Sequence, residues 1–120
     1  MEAVSRGAAE AGGRVLGVTA RAFGGRANRW VQEEIVVDTW RERLFRLIEL
    51  GQAYVALPGG TGTLAEIAVV CEMLNKGILS PRPLVLVGDF WKPLAELLAA
   101  ESSLLRFAAD PETAARGLRG

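Results

Sequence analysis

Between Ala53 and Lys76 the chain reads as strand, glycine-rich turn and helix, and this order constrains everything around it. Ala53-Tyr54-Val55-Ala56-Leu57 is an apolar run bounded by turn residues, the pattern of a buried strand. Pro58-Gly59-Gly60-Thr61-Gly62-Thr63 follows as a turn, and Leu64 to Lys76, mostly apolar and without proline or glycine, reads as a helix. Such a turn leaves backbone N–H groups facing one point at the positive end of a helix dipole, an arrangement suited to phosphate or carboxylate. The glycines let a ligand come close to the backbone, and the hydroxyls of Thr61 and Thr63 add donors. Glu66 is expected in the first turn of the helix. A carboxylate beside an anion-binding turn repels the anion, so its presence implies a second task, contact with a sugar or a reacting centre.

Strand and helix patterns alternate along the rest of the chain. Helices are expected over Glu2–Ala11, Thr39–Leu50 and Trp91–Ala100, and strands over Arg14–Thr19, Ile35–Val37, Leu84–Val87 and Leu104–Ala108. Asp110-Pro111-Glu112 opens a last helical turn with a capping residue, a first-turn proline and an acid. Alternation of this kind specifies an α/β fold with a mostly parallel sheet. At 120 residues the chain is expected to form one domain, 1–120. The longest irregular piece, Ala20–Glu34, carries Arg21, Arg26 and Arg29 and is expected as a solvated loop or an active-site cover.

Composition removes several classes of function. The formal net charge is zero and the pI is near 6.3, which lacks the basic footprint of a nucleic-acid binder. No apolar run has spanning length, and Met1-Glu2-Ala3-Val4-Ser5-Arg6 lacks the apolar core of a signal peptide, so no membrane role is expected. The single cysteine, Cys71, cannot form an internal disulfide, in keeping with a reducing cytoplasm, and is expected as a small core residue. Histidine is absent, which excludes histidine acid–base chemistry and histidine-bearing metal sites. No metal or cofactor is expected. The only lysines, Lys76 and Lys92, lie in no recognisable motif for a Schiff base with pyridoxal phosphate. Chemistry must come from carboxylates, arginines, hydroxyls or backbone.

Two charged residues sit on faces that helical geometry makes apolar. On the signature helix Ile67, Val70, Cys71 and Leu74 form a broad arc, extended by Val69 and Met73, and Glu66 projects between Val70 and Met73. Glu72 and Lys76 fall on the polar wedge as an expected i,i+4 ion pair. Glu66 is therefore an acid on an apolar flank, where a partner or a function is required, or it is a first-turn acid favoured by the dipole. On the Thr39–Leu50 helix, Trp40, Leu44, Leu47 and Ile48 form the apolar face and Arg43 projects between Leu47 and Leu50. Its bland reading is a stem packed along the core with the head in solvent.

Pro-Gly-Gly-x-Gly-Thr-x-x-Glu, spanning Pro58 to Glu66, resembles the signature of the Lonely Guy (LOG) proteins, long mislabelled as lysine decarboxylases. Gly12-Gly13-Arg14-Val15-Leu16-Gly17-Val18 looks like that family's second strand and its lead-in, and Pro83 to Val87 with Phe90-Trp91 looks like the strand and aromatic pair beyond the signature helix. The resemblance implies a Rossmann-like three-layer α/β/α fold lacking the family's first strands. The chain opens at the methionine after which the family places the helix matched by Glu2–Ala11. A leading βαβ portion with its own glycine-rich turn is then missing, and one sheet edge is expected to lie open.

The activity implied is hydrolysis of the N-glycosidic bond of nucleoside 5′-monophosphates, releasing free base and ribose 5-phosphate. Glu66 and Arg43 are the implied catalytic residues, with Gly59, Gly60, Thr61, Gly62 and Thr63 on the substrate phosphate. Arg43 stands at the family's spacing, fifteen residues before Pro58, although Leu44 replaces the lysine usual at the next position and Arg41 is the fallback. A homodimer formed through the apolar signature helix is implied as well. Rival readings are a non-catalytic carrier of nucleotide or molybdenum cofactor, an inactive fragment, and a DNA-processing role that the neutral charge opposes.

Overall fold

The alternation becomes five helices and five strands in a computed structural model that describes residues 1–24 and 26–119. Gly25 and Gly120, which fall within the expected Ala20–Glu34 segment and the expected 1–120 domain, lie outside the described residues. All strand pairings among the described residues are parallel, as expected of an α/β fold. The chain divides into two compact units, residues 1–50 and 51–120, each with its own sheet.

The first unit holds α1 (Glu2–Glu10), β1 (Leu16–Ala20), β2 (Glu33–Val37) and α2 (Trp40–Leu50). β1 and β2 pair in register from Leu16–Glu33 to Ala20–Val37. β2 begins two residues earlier than expected, because Glu33 and Glu34 join the ladder despite their charge. Glu33 forms an ion pair with Arg14, and Glu34 accepts a 2.8 Å hydrogen bond from the Thr19 hydroxyl. The expected Ala20–Glu34 segment gives its ends to β1 and β2 and contains a 3-10 turn over Arg21–Phe23. It is fastened further by Ala27 N–H on Glu34 (3.3 Å) and by the Asn28 amide on the Ser5 hydroxyl (3.2 Å). α2 starts with a side-chain cap: the Thr39 hydroxyl accepts from Glu42 N–H at 3.1 Å and donates to the Glu42 carboxylate at 3.1 Å. Its buried face is Leu44 and Ile48.

The second unit holds β3 (Tyr54–Ala56), α3 (Thr61–Asn75), β4 (Leu84–Val87), α4 (Lys92–Leu98), β5 (Leu105–Ala108) and α5 (Pro111–Arg119), with a 3-10 turn over Asp89–Trp91 leading into α4. The sheet order is β3-β4-β5. Every residue of the central strand β4 is buried, the pattern of a parallel strand covered on both faces. β3 is an edge strand and Val55 is exposed. Ile67 and Leu86 are the largest fully buried side chains, each contributing about 1.5–3 kcal/mol by leaving water. Before β3, Arg82 donates to the Gly51 carbonyl at 2.8 Å and to the Ser80 carbonyl at 3.0 Å, tying the entry of β3 to that of β4.

α3 ends in a Schellman motif. Ile78 N–H bonds the Met73 carbonyl at 2.9 Å and Gly77 N–H the Leu74 carbonyl at 3.2 Å, with Gly77 at φ +71°, a conformation other residues rarely adopt. At the other end α3 begins at Thr61, three residues before the expected Leu64. Thr61, Gly62 and Thr63 are its first turn, so Glu66 lies in the second turn rather than the first. No ion pair joins Glu72 and Lys76, both of which are exposed. No helix among the described residues is long and apolar enough to cross a membrane.

Candidate active site

Pro58 lies just past the end of β3 and cannot extend its ladder; Gly59 and Gly60 turn the chain, and Gly60 is the N-cap of α3 with extended backbone (φ −99°, ψ −154°). Its carbonyl accepts the first helical bond, from Leu64 N–H at 3.0 Å. The N–H groups of Gly60, Thr61, Gly62 and Thr63 therefore have no partner within the helix, and no side chain caps them. These donors converge where the dipole of a fifteen-residue helix is most positive.

The glycines divide into two kinds. A Cβ on Gly59 would overlap the Thr63 hydroxyl and stand 3.1 Å from Thr63 Cβ, so Gly59 makes room for Thr63. A Cβ on Gly60 or Gly62 would meet nothing within 4 Å, which leaves the backbone there open to an approaching ligand. None of the three has positive φ. Their value lies in access rather than in unusual dihedrals.

Glu66 is half-buried, between buried Val70 and half-buried Met73, as the helical geometry implied. Its place in the second turn removes the dipole explanation, because that effect fades within the first turn. Gly59 to Thr63 and Glu66 are thus brought together on one turn and one helix.

Arg43 belongs to the first unit. It is half-buried, and its Nε donates to the Val18 carbonyl in β1 at 2.9 Å, so the side chain is fastened to the sheet rather than trailing in solvent. Arg41, the fallback, is exposed. It lines a hollow of about 440 Å³ along the outer side of α2 with Ile35, Val37 and Phe45. This hollow and another of about 390 Å³, between α1 and Trp30, are lined by residues of the first unit. The signature offers a cradle of backbone donors, open at Gly60 and Gly62, and this chemistry marks it as the candidate site.

Sequence reasoning gave no role to the clasp that holds the turn. Trp91 is buried, and its indole N–H donates to the Leu57 carbonyl, immediately before Pro58, at 3.0 Å. Gly88, at φ +93°, brings the end of β4 beside Pro58, so that a Cβ there would touch the proline ring at 3.5 Å. The signal was present in the sequence as a glycine and two aromatics directly after a strand. The contact itself links residues thirty-four positions apart.

Burial pushes the Cys71 thiol above its ordinary value, which keeps it protonated and unreactive. It packs on the buried face of α3 with Ile67, Val70 and Leu74.

Fold and site together define an α/β protein with a glycine-rich strand–turn–helix at the carboxyl end of a parallel sheet. Residues 1–115 match the family described as "Possible lysine decarboxylase", and the chain belongs to that family, the one its signature resembles under the name LOG. The cytokinin riboside 5′-monophosphate phosphoribohydrolase of Rhodococcoides fascians is 34% identical over 99 residues, covering 78% of this chain and 50% of the relative. The chain spans about half the length of the curated relative it matches.

Proposed function

We propose that this chain forms the phosphate-binding and glycoside-cleaving part of a nucleoside 5′-monophosphate phosphoribohydrolase, acting as one functional domain. The observation that carries the reading is the uncapped start of α3, open at Gly60 and Gly62, with a half-buried carboxylate one turn further along. The related phosphoribohydrolase supports it.

The 5′-phosphate takes the N–H groups and hydroxyls of Gly59, Gly60, Thr61, Gly62 and Thr63, a dianion at a helix N-terminus. Cleavage of the N-glycosidic bond passes through an oxocarbenium-like state, in which positive charge develops on the ribose. The Glu66 carboxylate stabilises that charge or orients the attacking water. Arg43 holds the phosphate or assists departure of the base. None of these steps calls for a Schiff-base lysine. Leu64 and Ala68 leave an exposed apolar strip on α3, which supports a homodimer formed through this helix. A lone, buried thiol suits a cytoplasmic setting.

The test is chromatographic detection of free base from a panel of nucleoside 5′-monophosphates, with Glu66→Gln in parallel. Release by wild type alone, with nucleotide binding kept in the variant, supports the reading. Equal turnover in Glu66→Gln removes Glu66 from the chemistry. Nucleotide binding without release by the wild type favours a carrier.

A further inference from the structure

We propose that Phe90 is the stacking surface for the base of the bound nucleotide, and so a specificity-determining residue; this rests on the phosphoribohydrolase reading. Phe90 and Trp91 are adjacent aromatics with opposite fates. Trp91 is 5% exposed and locked to the Leu57 carbonyl, whereas Phe90 is 62% exposed. A single exposed aromatic is ordinary; three features make this one different.

The first is position. β3 and β4 are parallel and paired Ala56 to Leu86, so the turns that follow them leave the sheet side by side at its carboxyl end, where ligands of open α/β sheets bind. One of these turns is the phosphate cradle and the other carries Phe90.

The second feature is proximity. Phe90 lies one ring contact from Trp91, which lies one hydrogen bond from the residue preceding Pro58.

The third is preset orientation. The Phe90 and Trp91 rings meet edge to face, with centroids 4.8 Å apart and planes at 81°. Because Trp91 is fixed, the Phe90 ring is held in a defined attitude while most of its surface stays open. A flat, neutral, oriented apolar surface beside an anion cradle suits a ligand that has a phosphate at one end and an aromatic base at the other. It does not by itself read base edges, so purines and bases with apolar substituents should be favoured over smaller pyrimidines.

The experiment compares wild type, Phe90→Ala and Phe90→Tyr. kcat/KM is measured for adenosine, N6-alkyladenosine and uridine 5′-monophosphates, and inhibition by ribose 5-phosphate, which has no base, is measured alongside. The expected result is a fall of about tenfold in kcat/KM for the purine nucleotides in Phe90→Ala. A smaller fall is expected for uridine 5′-monophosphate, with near-complete retention in Phe90→Tyr and unchanged inhibition by ribose 5-phosphate. An equal loss for all nucleotides and for ribose 5-phosphate, or no loss at all, would overturn the inference. Absence of base release by the wild type would instead overturn the hydrolase reading. The stacking is then judged by equilibrium binding: the wild type should prefer adenosine 5′-monophosphate over ribose 5-phosphate about tenfold more than Phe90→Ala does. An equal preference, or no binding of either ligand, refutes it.

Discussion

Replacing Trp91 with phenylalanine removes the donor that holds the residue before Pro58 and leaves the rest of the aromatic bulk in place. In the native protein the indole N–H meets the Leu57 carbonyl at 3.0 Å, Trp91 is buried and Leu57 is half-buried. Losing the donor strands a carbonyl that water reaches poorly, at a cost of about 1–3 kcal/mol. The smaller ring leaves a gap worth about another 1 kcal/mol. For a chain of this size, about 2–4 kcal/mol corresponds to a fall in Tm of roughly 10 °C, which a protein of ordinary stability survives at room temperature. The assay has two arms, thermal unfolding by circular dichroism and calorimetric titration with ribose 5-phosphate at 15 °C, where the variant is folded. We expect both the lower Tm and a weaker affinity, because a turn that has lost its clasp no longer presents its N–H groups in one orientation. A Tm within about 2 °C of wild type would refute the energetic argument. A lower Tm with unchanged affinity would show that the clasp supports the sheet and not the cradle.

The signature glycines make opposite predictions. Gly62→Ala adds a methyl to the first turn of α3 with nothing in its way, so stability should rise by about 0.5–1 kcal/mol while ribose 5-phosphate affinity falls; a rise in both would show the ligand sits elsewhere. Gly59→Ala collides with Thr63 and should lower Tm and affinity together, both by calorimetry. Asp110 accepts from Thr113 N–H at 2.7 Å at the start of α5, and this bond, followed by that from the Thr113 side chain, holds its carboxyl below the ordinary value of 3.8. A depressed folded-state pKa gives stability that is full above that value and lost as pH falls through the folded one. The Tm gap between wild type and Asp110→Ala should therefore be constant near neutrality and narrow in acid; a gap that does not narrow as the pH falls below 3.8 would refute the cap. Light scattering at micromolar concentration should report a dimer, and Leu64→Glu should shift it toward monomer.

The strand–turn–helix was legible because Pro58-Gly59-Gly60 punctuates two apolar runs, and β4 because four consecutive β-branched or aliphatic residues stand between turns. The start of α3 was misplaced for a physical reason. Two threonines and a glycine are poor helix formers, but in the first turn their N–H groups need no helical partner. The misplacement matters for Glu66, which moves from a position that the dipole explains to one that it does not. β2 was shortened because Glu33 and Glu34 look unlike strand residues, yet their partners, Arg14 and Thr19, come from β1 and its lead-in. The anchoring of Arg43 on Val18 and of Trp91 on Leu57 lay beyond periodicity, because each is a contact between segments twenty-five or more residues apart.

The thiol of Cys71 has a practical consequence. It is the sole cysteine of the chain, it lies on the buried face of α3, and burial keeps it protonated. A thiol reagent can reach it only during excursions that lift this helix away from what covers it. The rate at which the native protein takes up such a label is thus a clock for the opening of α3, available without introducing any foreign group. A ligand seated at the start of the helix would slow that clock by the free energy with which it binds, turning one sulfur atom into a gauge of occupancy about three turns away.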